Sequence, residues 1–374
     1  MKSKLMSIIV VIAVVAVVAV AAVMVMNSKV NNDSSSDDIY LEFDDSLGTH
    51  FVLNEPLKKV VILNRQTSMA FSILQAEDVV VATGDTTIKN EPYLTKYQSL
   101  PDVGETGSPD IEKIIELMPD AVFCYTNRAM DLEEKLNPVG IKVIRIDNYQ
   151  PEKYDQEMLL LGKILNKTQR AQEFVDYENA LLNTVSDVVG KMSDADKPTV
   201  MALSIGFING SGGYRIFPCY STDGTAGVGE GYSSILAGGK DASPSIMYDK
   251  TQASTTVMVD QEFVLDKCKP EVIVLHGTWL GGYECTDSND WKTVLDNIHK
   301  VSTIDQTPAG ANKKVYAFHT DMLGAALRPI GILQLAKYLH PDEFSDMDPE
   351  KIAEEFFDKW LGSEFKGIWW YAEA

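Results

Sequence analysis

Residues 168–191, TQRAQEFVDYENALLNTVSDVVGK, form the most informative segment of this sequence. Thr168 is a suitable N-cap, and no glycine or proline interrupts the segment before Gly190. The apolar residues recur at helical spacing: Ala171, Phe174, Val175, Leu181, Leu182, Val185 and Val188. A helix of this length spans roughly 36 Å, about the length of a whole lobe. The segment therefore predicts a rigid helical strut between two lobes.

On both sides of this helix, short β-branched runs alternate with helical patterns. Ala121–Tyr125 is such a run before the helix, and Glu271–His276 is one after it. Alternation with short connections is typical of βαβ units and parallel sheet. The sequence predicts an α/β protein of two Rossmann-like lobes joined by a single long helix. The expected boundaries are residues 39–151 for the N-terminal lobe, 152–191 for the connection and 192–374 for the C-terminal lobe.

One motif occurs once in each half of the chain. Residues 111–123, IEKIIELMPDAVF, resemble residues 262–274, EFVLDKCKPEVIV. Both read as an acidic amphipathic helix, then proline with an acidic residue, then a buried strand. Proline followed by an acidic residue is common between any helix and strand, but its recurrence in each half favours an internal duplication.

The N-terminus has the pattern of a membrane segment. Lys2 and Lys4 precede the apolar run Leu5–Met26, which spans roughly 33 Å as a helix and matches the bilayer core. A cleaved signal peptide is the alternative, with residues 21–23 as a cleavage site, although the apolar run continues beyond them. We expect residues 1–26 to be a single N-terminal anchor, residues 27–38 a flexible tether, and the lobes to lie outside the cytoplasm.

Composition and cysteine spacing exclude other classes. The chain has 374 residues, is 45% hydrophobic and carries a formal net charge of -21, so nucleic acid is a poor partner. The four cysteines show no C-x-x-C spacing. Outside the cell Cys219 and Cys285 could form a disulfide, if the fold brings them together. The sequence lacks nucleophile-elbow, zinc-protease and P-loop motifs in the required context, which argues against an enzyme.

Several short motifs carry a family resemblance through their order and spacing. They are Val103-Gly104, Pro109–Ile114, Met118–Asp120, Leu161–Lys167 with Arg170-Ala171, Lys314–Tyr316, Arg328–Gly331 and Leu335–Pro341. Together they resemble class III substrate-binding proteins, which serve ABC importers of iron-siderophores, haem and cobalamin. The resemblance implies a monomer that holds a metal chelate in the cleft between its lobes, needs no cofactor and delivers the chelate to a permease and ATPase complex.

The same resemblance implies two glutamates that dock to the permease. Glu112 and Glu262 match them, although Glu262 lies one residue further before its proline than Glu112 does. The ligand should lie beyond the carboxyl ends of the strands. Polar and aromatic residues at those ends are the predicted ligand contacts: Arg65, Tyr125, Asn127, Arg128, Tyr214, Arg215, His276, Trp279, His319 and Arg328.

Two alternatives remain open at this point. A bare-metal or oxyanion binder on the same fold would need several histidine and carboxylate ligands, or a cationic pocket. His276 and His319 are the histidines best placed for a site, but the sequence shows no converging set, so the metal ligands stay unknown. A surface enzyme is the weaker alternative. The glycine-rich residues 224–231, GTAGVGEG, are expected to form a mobile loop at the lip of the cleft.

Overall fold

The computed structural model describes residues 39–205, 213–252, 254–276 and 280–373. Residues Tyr40–Ala374 belong to one compact unit. The predicted anchor Leu5–Met26 and the predicted tether lie outside the described residues. Among the helices that are described, none combines the length and the apolar character needed to cross a bilayer.

The N-terminal lobe is built on a parallel sheet with strand order β4-β3-β7-β8, flanked by two small antiparallel hairpins, β1-β2 and β5-β6. Its strands are β1 Leu41–Asp44, β2 His50–Leu53, β3 Val60–Ile62, β4 Val80–Thr83, β5 Gly104–Glu105, β6 Ser108–Pro109, β7 Ala121–Cys124 and β8 Lys142–Arg145. Its helices are α1 Arg65–Ile73, α2 Asp85–Asn90, α3 Ile111–Leu117 and α4 Leu132–Leu136. Strand β7 is wholly buried, as its continuous apolar sequence requires.

Two helices follow the N-terminal sheet, α5 Tyr154–Ile164 and α6 Thr168–Val189. The second ends just before Gly190, but Thr168 is its first helical residue and Lys167 its N-cap, without a side-chain hydrogen bond, so the N-cap role predicted for Thr168 is wrong. On its buried face, Phe174 packs edge-on against Trp360, with ring centroids 5.0 Å apart. On the same helix Glu178 is buried and accepts a hydrogen bond of 2.6 Å from Arg328 Nη2. Apolar packing and one buried ion pair therefore fix α6 to the C-terminal lobe.

The C-terminal lobe has a mixed sheet with strand order β12-β10-β9-β13-β14-β15, and β11 also pairs with β9. Its strands are β9 Thr199–Ser204, β10 Gly213–Ile216, β11 Lys240–Asp241, β12 Val257–Asp260, β13 Val272–His276, β14 Val315–Phe318 and β15 Trp370–Ala372. Its helices are α7 Gly229–Leu236, α8 Gln261–Phe263, α9 Asn289–Val301, α10 Pro308–Ala311, α11 Arg328–Leu339 and α12 Pro349–Phe356. The central strands β9, β13 and β14 are parallel. The molecule is thus a mixed α/β protein with a sheet in each of two lobes.

The repeated motif has the same local geometry in both lobes. Asp110 caps α3 by accepting a hydrogen bond from the Lys113 N–H at 3.1 Å, and Asp260 caps α8 by accepting one from the Phe263 N–H at 2.6 Å. Each helical segment ends at a residue with positive φ, Met118 at 45° and Lys269 at 44°, immediately before the proline. The predicted echo between the halves is therefore a shared helix–turn–strand unit.

The one-residue difference between the copies has a local cause. Glu112 and Glu262 both lie in the first turn of their helices and are exposed. In the second copy, Val264–Cys268 forms a π-helical turn. Such a turn takes in one more residue than an α-helical turn, so Glu262 keeps the position of Glu112 relative to its cap.

All four cysteines are buried and none forms a disulfide. The disulfide considered for Cys219 and Cys285 is therefore wrong for this structure. Burial raises the pKa of the Cys219 thiol, which lies beside Asp241. The Cys285 thiol instead contacts the Asp287 carbonyl at 3.5 Å. The two thiols have separate surroundings within their lobe.

Candidate functional site

A cavity of about 300 Å³ lies between the two lobes. The N-terminal lobe contributes Arg65, Gln66, Thr86, Thr106, Tyr125, Asn127, Arg128 and Tyr149, and the connection contributes Gln150, Pro151 and Glu152. The C-terminal lobe contributes Gly227, Val228, Gly229, Glu230, Tyr248, Lys250, Thr255, Thr320 and Gly324. We call the exposed residues Asn127, Arg128, Glu152 and Lys250 the rim. We call Arg65, Glu230 and Thr320, with His276 beneath them, the floor.

Two tyrosines form an aromatic wall on the N-terminal side. The rings of Tyr125 and Tyr149 meet edge to face, with centroids 5.1 Å apart. The Tyr125 hydroxyl donates to Gln66 Oε1. Burial raises the pKa of Tyr125, and it raises the pKa of Tyr149 to about 12. Both phenols therefore stay protonated near neutral pH, and the Tyr149 hydroxyl, which accepts from Gln150 Nε2 at 3.2 Å, can donate a hydrogen bond to a ligand.

Arg128 is the rim cation that is most available to a ligand. Its guanidinium donates to the Asn127 carbonyl at 3.2 Å, and within the described residues it forms no salt bridge. The other rim cation, Lys250, is already paired with Glu152 at 2.7 Å and with Asp223 at 3.4 Å. An anionic group entering the cavity would therefore pair with Arg128 without displacing a carboxylate.

Arg65 is also in the cavity, but its charge is shared by both lobes. At the first residue of α1, its guanidinium pairs with Glu91 of the same lobe at 2.9 Å and with Asp321 of the C-terminal lobe. The Tyr93 hydroxyl donates to Glu91 and lies 3.1 Å from Asp321 Oδ2. Burial, and then the nearby Asp321 charge, raises the pKa of Glu91. Arg65 therefore connects the lobes as well as lining the cavity.

The C-terminal wall is made by the glycine-rich segment. A Cβ at Gly227 would lie 2.2 Å from the Pro218 oxygen, and one at Gly231 would lie 2.3 Å from the Phe217 oxygen. Glycine at these positions lets α7 pack closely on the segment before it. The expectation of a mobile loop over residues 224–231 is wrong for its second half, because Gly229 begins α7 and Gly227–Glu230 line the cavity.

A buried histidine lies under the floor. His276 ends β13, and its Nε2 lies 2.9 Å from the Thr320 carbonyl oxygen. A carbonyl only accepts hydrogen bonds, so Nε2 carries the proton and Nδ1 has the lone pair. Burial lowers the pKa of His276 to about 3 and raises the pKa of Glu230. Nδ1 lies 3.7 Å from Glu230 Oε1.

Five of the ten predicted ligand contacts lie at the cavity. Asn127 and Arg128 are at the rim, Tyr125 is in the aromatic wall, Arg65 is in the floor, and His276 lies beneath the floor. The structure places the remaining described residues elsewhere. Tyr214 is buried, with its hydroxyl 3.0 Å from Thr303 Oγ1, and Arg215 donates to Thr256 Oγ1 at 3.3 Å. His319 and Arg328 are described in the next paragraph. Trp279 lies outside the described residues.

His319 and Arg328 are held by neighbouring side chains rather than by the cavity. The His319 ring packs edge-on against Trp369 at 4.9 Å, and its Nδ1 lies 3.5 Å from Asp321 Oδ2. Arg328 pairs with Glu178 and covers the Tyr154 ring at 5.6 Å. Neither residue lines the cavity. Both contacts stabilise the lobe and its junction with the connecting helix.

Sequence reasoning missed several cavity residues. Gln66, Tyr149, Glu230, Tyr248 and Lys250 all line it. Tyr149 follows β8 closely, so the strand-end rule could have found it. Glu230 is in the first turn of α7, within the glycine-rich stretch that we expected to be a loop. Within the described part of the chain, no group of three or more histidine, cysteine, aspartate or glutamate side chains is arranged to hold a metal ion.

Solved structures with the same architecture are numerous. The TroA-like periplasmic binding protein FepB from Veillonella parvula is 24% identical, with a TM-score of 0.69 over 89% of this chain and 99% of that one. The molybdate-binding protein MolA from Haemophilus influenzae is 19% identical, with a TM-score of 0.69 over 87% and 99%. A Fe3+-hydroxamate transport protein from Saccharomonospora viridis is 17% identical, with a TM-score of 0.58 over 80% and 99%. At these identities the likeness shows the fold.

The curated proteins give no match to this sequence. A family model does match, over residues 60–322, and its description is periplasmic binding protein. That match covers well over half of the chain and includes the N-terminal parallel sheet, every strand of the C-terminal sheet except β15, and every cavity residue except Gly324. The chain therefore belongs to the periplasmic binding protein family, whose members bind solutes for ABC transporters and are not enzymes.

Proposed function

We propose that this protein captures a chelated metal complex between its lobes and delivers it to an ABC importer. The observation that carries the proposal is Arg128, which lies at the cavity rim beside the Tyr125 and Tyr149 phenols and forms no salt bridge within the described residues. A guanidinium with protonated phenols nearby suits the anionic oxygens that surround a chelated ferric ion. The N-termini of α1 and α7, whose N-caps make no side-chain hydrogen bond, add positive potential from both lobes.

The lining favours a ferric siderophore over haem or a corrinoid. Amides, hydroxyls and charged groups outnumber apolar side chains around the cavity, whereas the faces of a macrocycle need broad apolar contact. The volume, about 300 Å³, lies at the lower end of the range of roughly 300–1,000 Å³ for ligand pockets. A hydroxamate or carboxylate chelate could place its oxygens against Arg128 and the phenols while part of it remains in solvent.

An oxyanion is the second candidate ligand. Arg128 and two helix N-termini are the elements that bind a tetrahedral oxyanion in many proteins. Against this, the floor contains the carboxyl group of Glu230, and the cavity is larger than one such ion requires. A bare metal ion is less suited still, because Glu230 and His276 are not accompanied by a third ligand among the described residues.

Membership in the family supports an extracytoplasmic location. We infer that Leu5–Met26 anchors the protein as a monomer on the outer face of the membrane. We also infer that Glu112 and Glu262 dock to the permease, because they are exposed and occupy equivalent positions of the repeated unit. Replacing both by alanine should leave ligand affinity unchanged and reduce uptake by cells. Loss of ligand affinity would contradict the docking role.

A calorimetric binding screen tests the ligand class. Purified full-length protein in mild detergent would be titrated with ferric trihydroxamates, ferric catecholates, haem, cobalamin and molybdate. We expect a dissociation constant of about 1 μM or lower, near −8 kcal/mol, for at least one ferric chelate. Binding of haem or cobalamin alone would contradict the siderophore assignment. Binding of molybdate alone would establish the oxyanion alternative.

A further inference from the structure

The cavity floor is rich in carboxyl groups and poor in cations. The Arg65 guanidinium pairs with Glu91 and Asp321 and also acts electrostatically on Glu230. His276 and His319 are buried, and burial lowers the pKa of both, so neither adds a positive charge near neutral pH. One guanidinium thus faces three carboxyl groups. A cation supplied by the ligand would improve this balance.

Glu230 is the carboxyl group of this set that a ligand can reach. It lines the cavity and its side chain is 25% exposed, whereas the side chains of Glu91 and Asp321 are at most 1% exposed. Glu230 stands in the first turn of α7, whose close packing through Gly227 and Gly231 fixes its position. The backbone that carries Glu230 is therefore closely packed, and its carboxyl group lies at the floor.

His276 supplies a second, independent indication. Its side chain is fully buried, and its Nδ1 has no hydrogen-bond partner within the described residues. The ring is oriented by the hydrogen bond from Nε2 to Thr320 and by edge-on contact with Phe217 at 5.7 Å. The Nδ1 lone pair faces Glu230 Oε1 at 3.7 Å, beyond a normal hydrogen-bond distance. The His276 lone pair and the Glu230 carboxyl group thus lie side by side with no hydrogen bond between them.

We propose that Glu230, with the neighbouring His276 Nδ1 as a second acceptor, binds a protonated primary amine of the ligand. This rests on the proposed function, because it adds a cationic group to the chelate whose anionic oxygens meet Arg128. An ammonium group has three donors and can reach Glu230 while its charge offsets the acid-rich floor. The solute is therefore amphoteric, with its ammonium at the floor and its chelating oxygens toward the rim.

A matched pair of ligands tests this subsite. The pair is a linear ferric trihydroxamate with a terminal ammonium group and the same chelate with that amine acetylated, titrated into full-length protein. We expect the wild type to prefer the ammonium form by about tenfold or more, as expected for a charge-assisted hydrogen bond. Glu230→Gln should abolish the preference, so that the two chelates bind with equal affinity. His276→Asn should reduce the preference to a smaller extent than Glu230→Gln does.

Glu152→Gln is the control, because Glu152 is a cavity carboxylate already paired with Lys250. It should keep the wild-type preference. Equal wild-type affinity for the two chelates, or a preference retained by Glu230→Gln, would overturn the subsite. So would a loss in Glu152→Gln equal to that in Glu230→Gln, since the preference would then reflect general charge.

A chelate-free probe separates this proposal from the proposed function. If neither chelate of the pair binds and the screen finds no other ferric chelate that does, the siderophore assignment is wrong. Whenever the pair does not bind, the subsite is judged with n-propylammonium chloride. Nitrogen NMR of labelled histidines reports hydrogen bonding at His276 Nδ1, with His276→Asn assigning the signal. A saturable shift in the wild type that is absent in Glu230→Gln supports the subsite. No shift in the wild type overturns it.

Discussion

The two lobes meet the cavity in different ways. The N-terminal lobe presents long side chains that follow its strands: Arg65 after β3, and Tyr125, Asn127 and Arg128 after β7. The C-terminal lobe presents mainly backbone and the first turn of α7, through Gly227, Val228, Gly229 and Glu230. Polar side chains that follow strands thus line the cavity in the N-terminal lobe, whereas His276 and His319 of the C-terminal lobe are buried.

The difference follows from what covers the strand ends. In the C-terminal lobe, Phe217 and the first turn of α7 lie against His276 at the end of β13, and His276 is fully buried and bonds to Thr320. The segment before β15 places Trp369 on the ring of His319. In the N-terminal lobe the residues after β7 remain half-buried or exposed. A strand-end residue is a good candidate contact only where no later element covers it.

The largest effect on stability should come from Arg328, a predicted ligand contact that instead pairs with the buried Glu178. Arg328→Ala leaves Glu178 buried without its partner and should lower the free energy of unfolding by about 3–5 kcal/mol. Denaturant unfolding measures this. The double variant Arg328→Met, Glu178→Leu should recover much of the loss. A large loss of ligand affinity with unchanged stability would instead make Arg328 a ligand contact.

The second largest effect on stability should come from Gly231, in the glycine-rich segment of the C-terminal wall. Gly231→Ala puts a Cβ 2.3 Å from the Phe217 oxygen, so α7 must move. We expect a stability loss of about 1–3 kcal/mol, together with weaker ligand binding. Gly324→Ala is the control, because no heavy atom lies within 4 Å of its Cβ position. Equal behaviour of the two variants in thermal unfolding and calorimetry would contradict the packing role of Gly231.

Replacing one arginine in each lobe tests whether the N-terminal lobe contributes more to ligand affinity than the C-terminal lobe does. Arg128→Gln should weaken binding of an anionic chelate by about tenfold or more without changing stability, since it removes a charge-assisted contact. Arg215→Gln in the C-terminal lobe should leave affinity unchanged, because Arg215 does not line the cavity. Calorimetric titration of both variants checks this. A similar loss in Arg215→Gln would mean that overall charge, not position, governs binding.

The smallest effect concerns a buried carboxyl of the connection. Burial raises the pKa of Glu157 from 4.5 to about 7 in the folded protein. The folded state therefore holds this proton more tightly than the unfolded state, and stability should fall as pH rises from about 4.5 to about 7. Glu157→Gln should reduce that fall by on the order of 1 kcal/mol. Denaturant unfolding at several pH values measures the slope, and identical slopes would show that Glu157 does not contribute.

Local sequence patterns were enough for the framework of the molecule. The apolar stripe of residues 168–191 predicted α6 almost to the residue, because helical periodicity and the absence of proline are local properties. The runs at Ala121 and Glu271 predicted β7 and β13 for the same reason. The strand-end rule also found the N-terminal wall, since Arg65, Tyr125 and Arg128 follow parallel strands whose ends meet in space.

The C-terminal wall of the cavity could not be predicted in this way, because it depends on contacts between segments that are distant in sequence. His276 and His319 have the same local pattern as Tyr125, but α7 and Trp369 cover them, and no local signal shows which segment will return over a strand end. Gly227 and Gly231 look like loop residues in sequence, yet close approach to Phe217 and Pro218 makes them packing residues. The partner of Arg328 is Glu178, which lies far away along the chain. Burial and pairing are decided by the assembled lobes, because they depend on which atoms exclude water from a side chain, and that is a property of the whole fold.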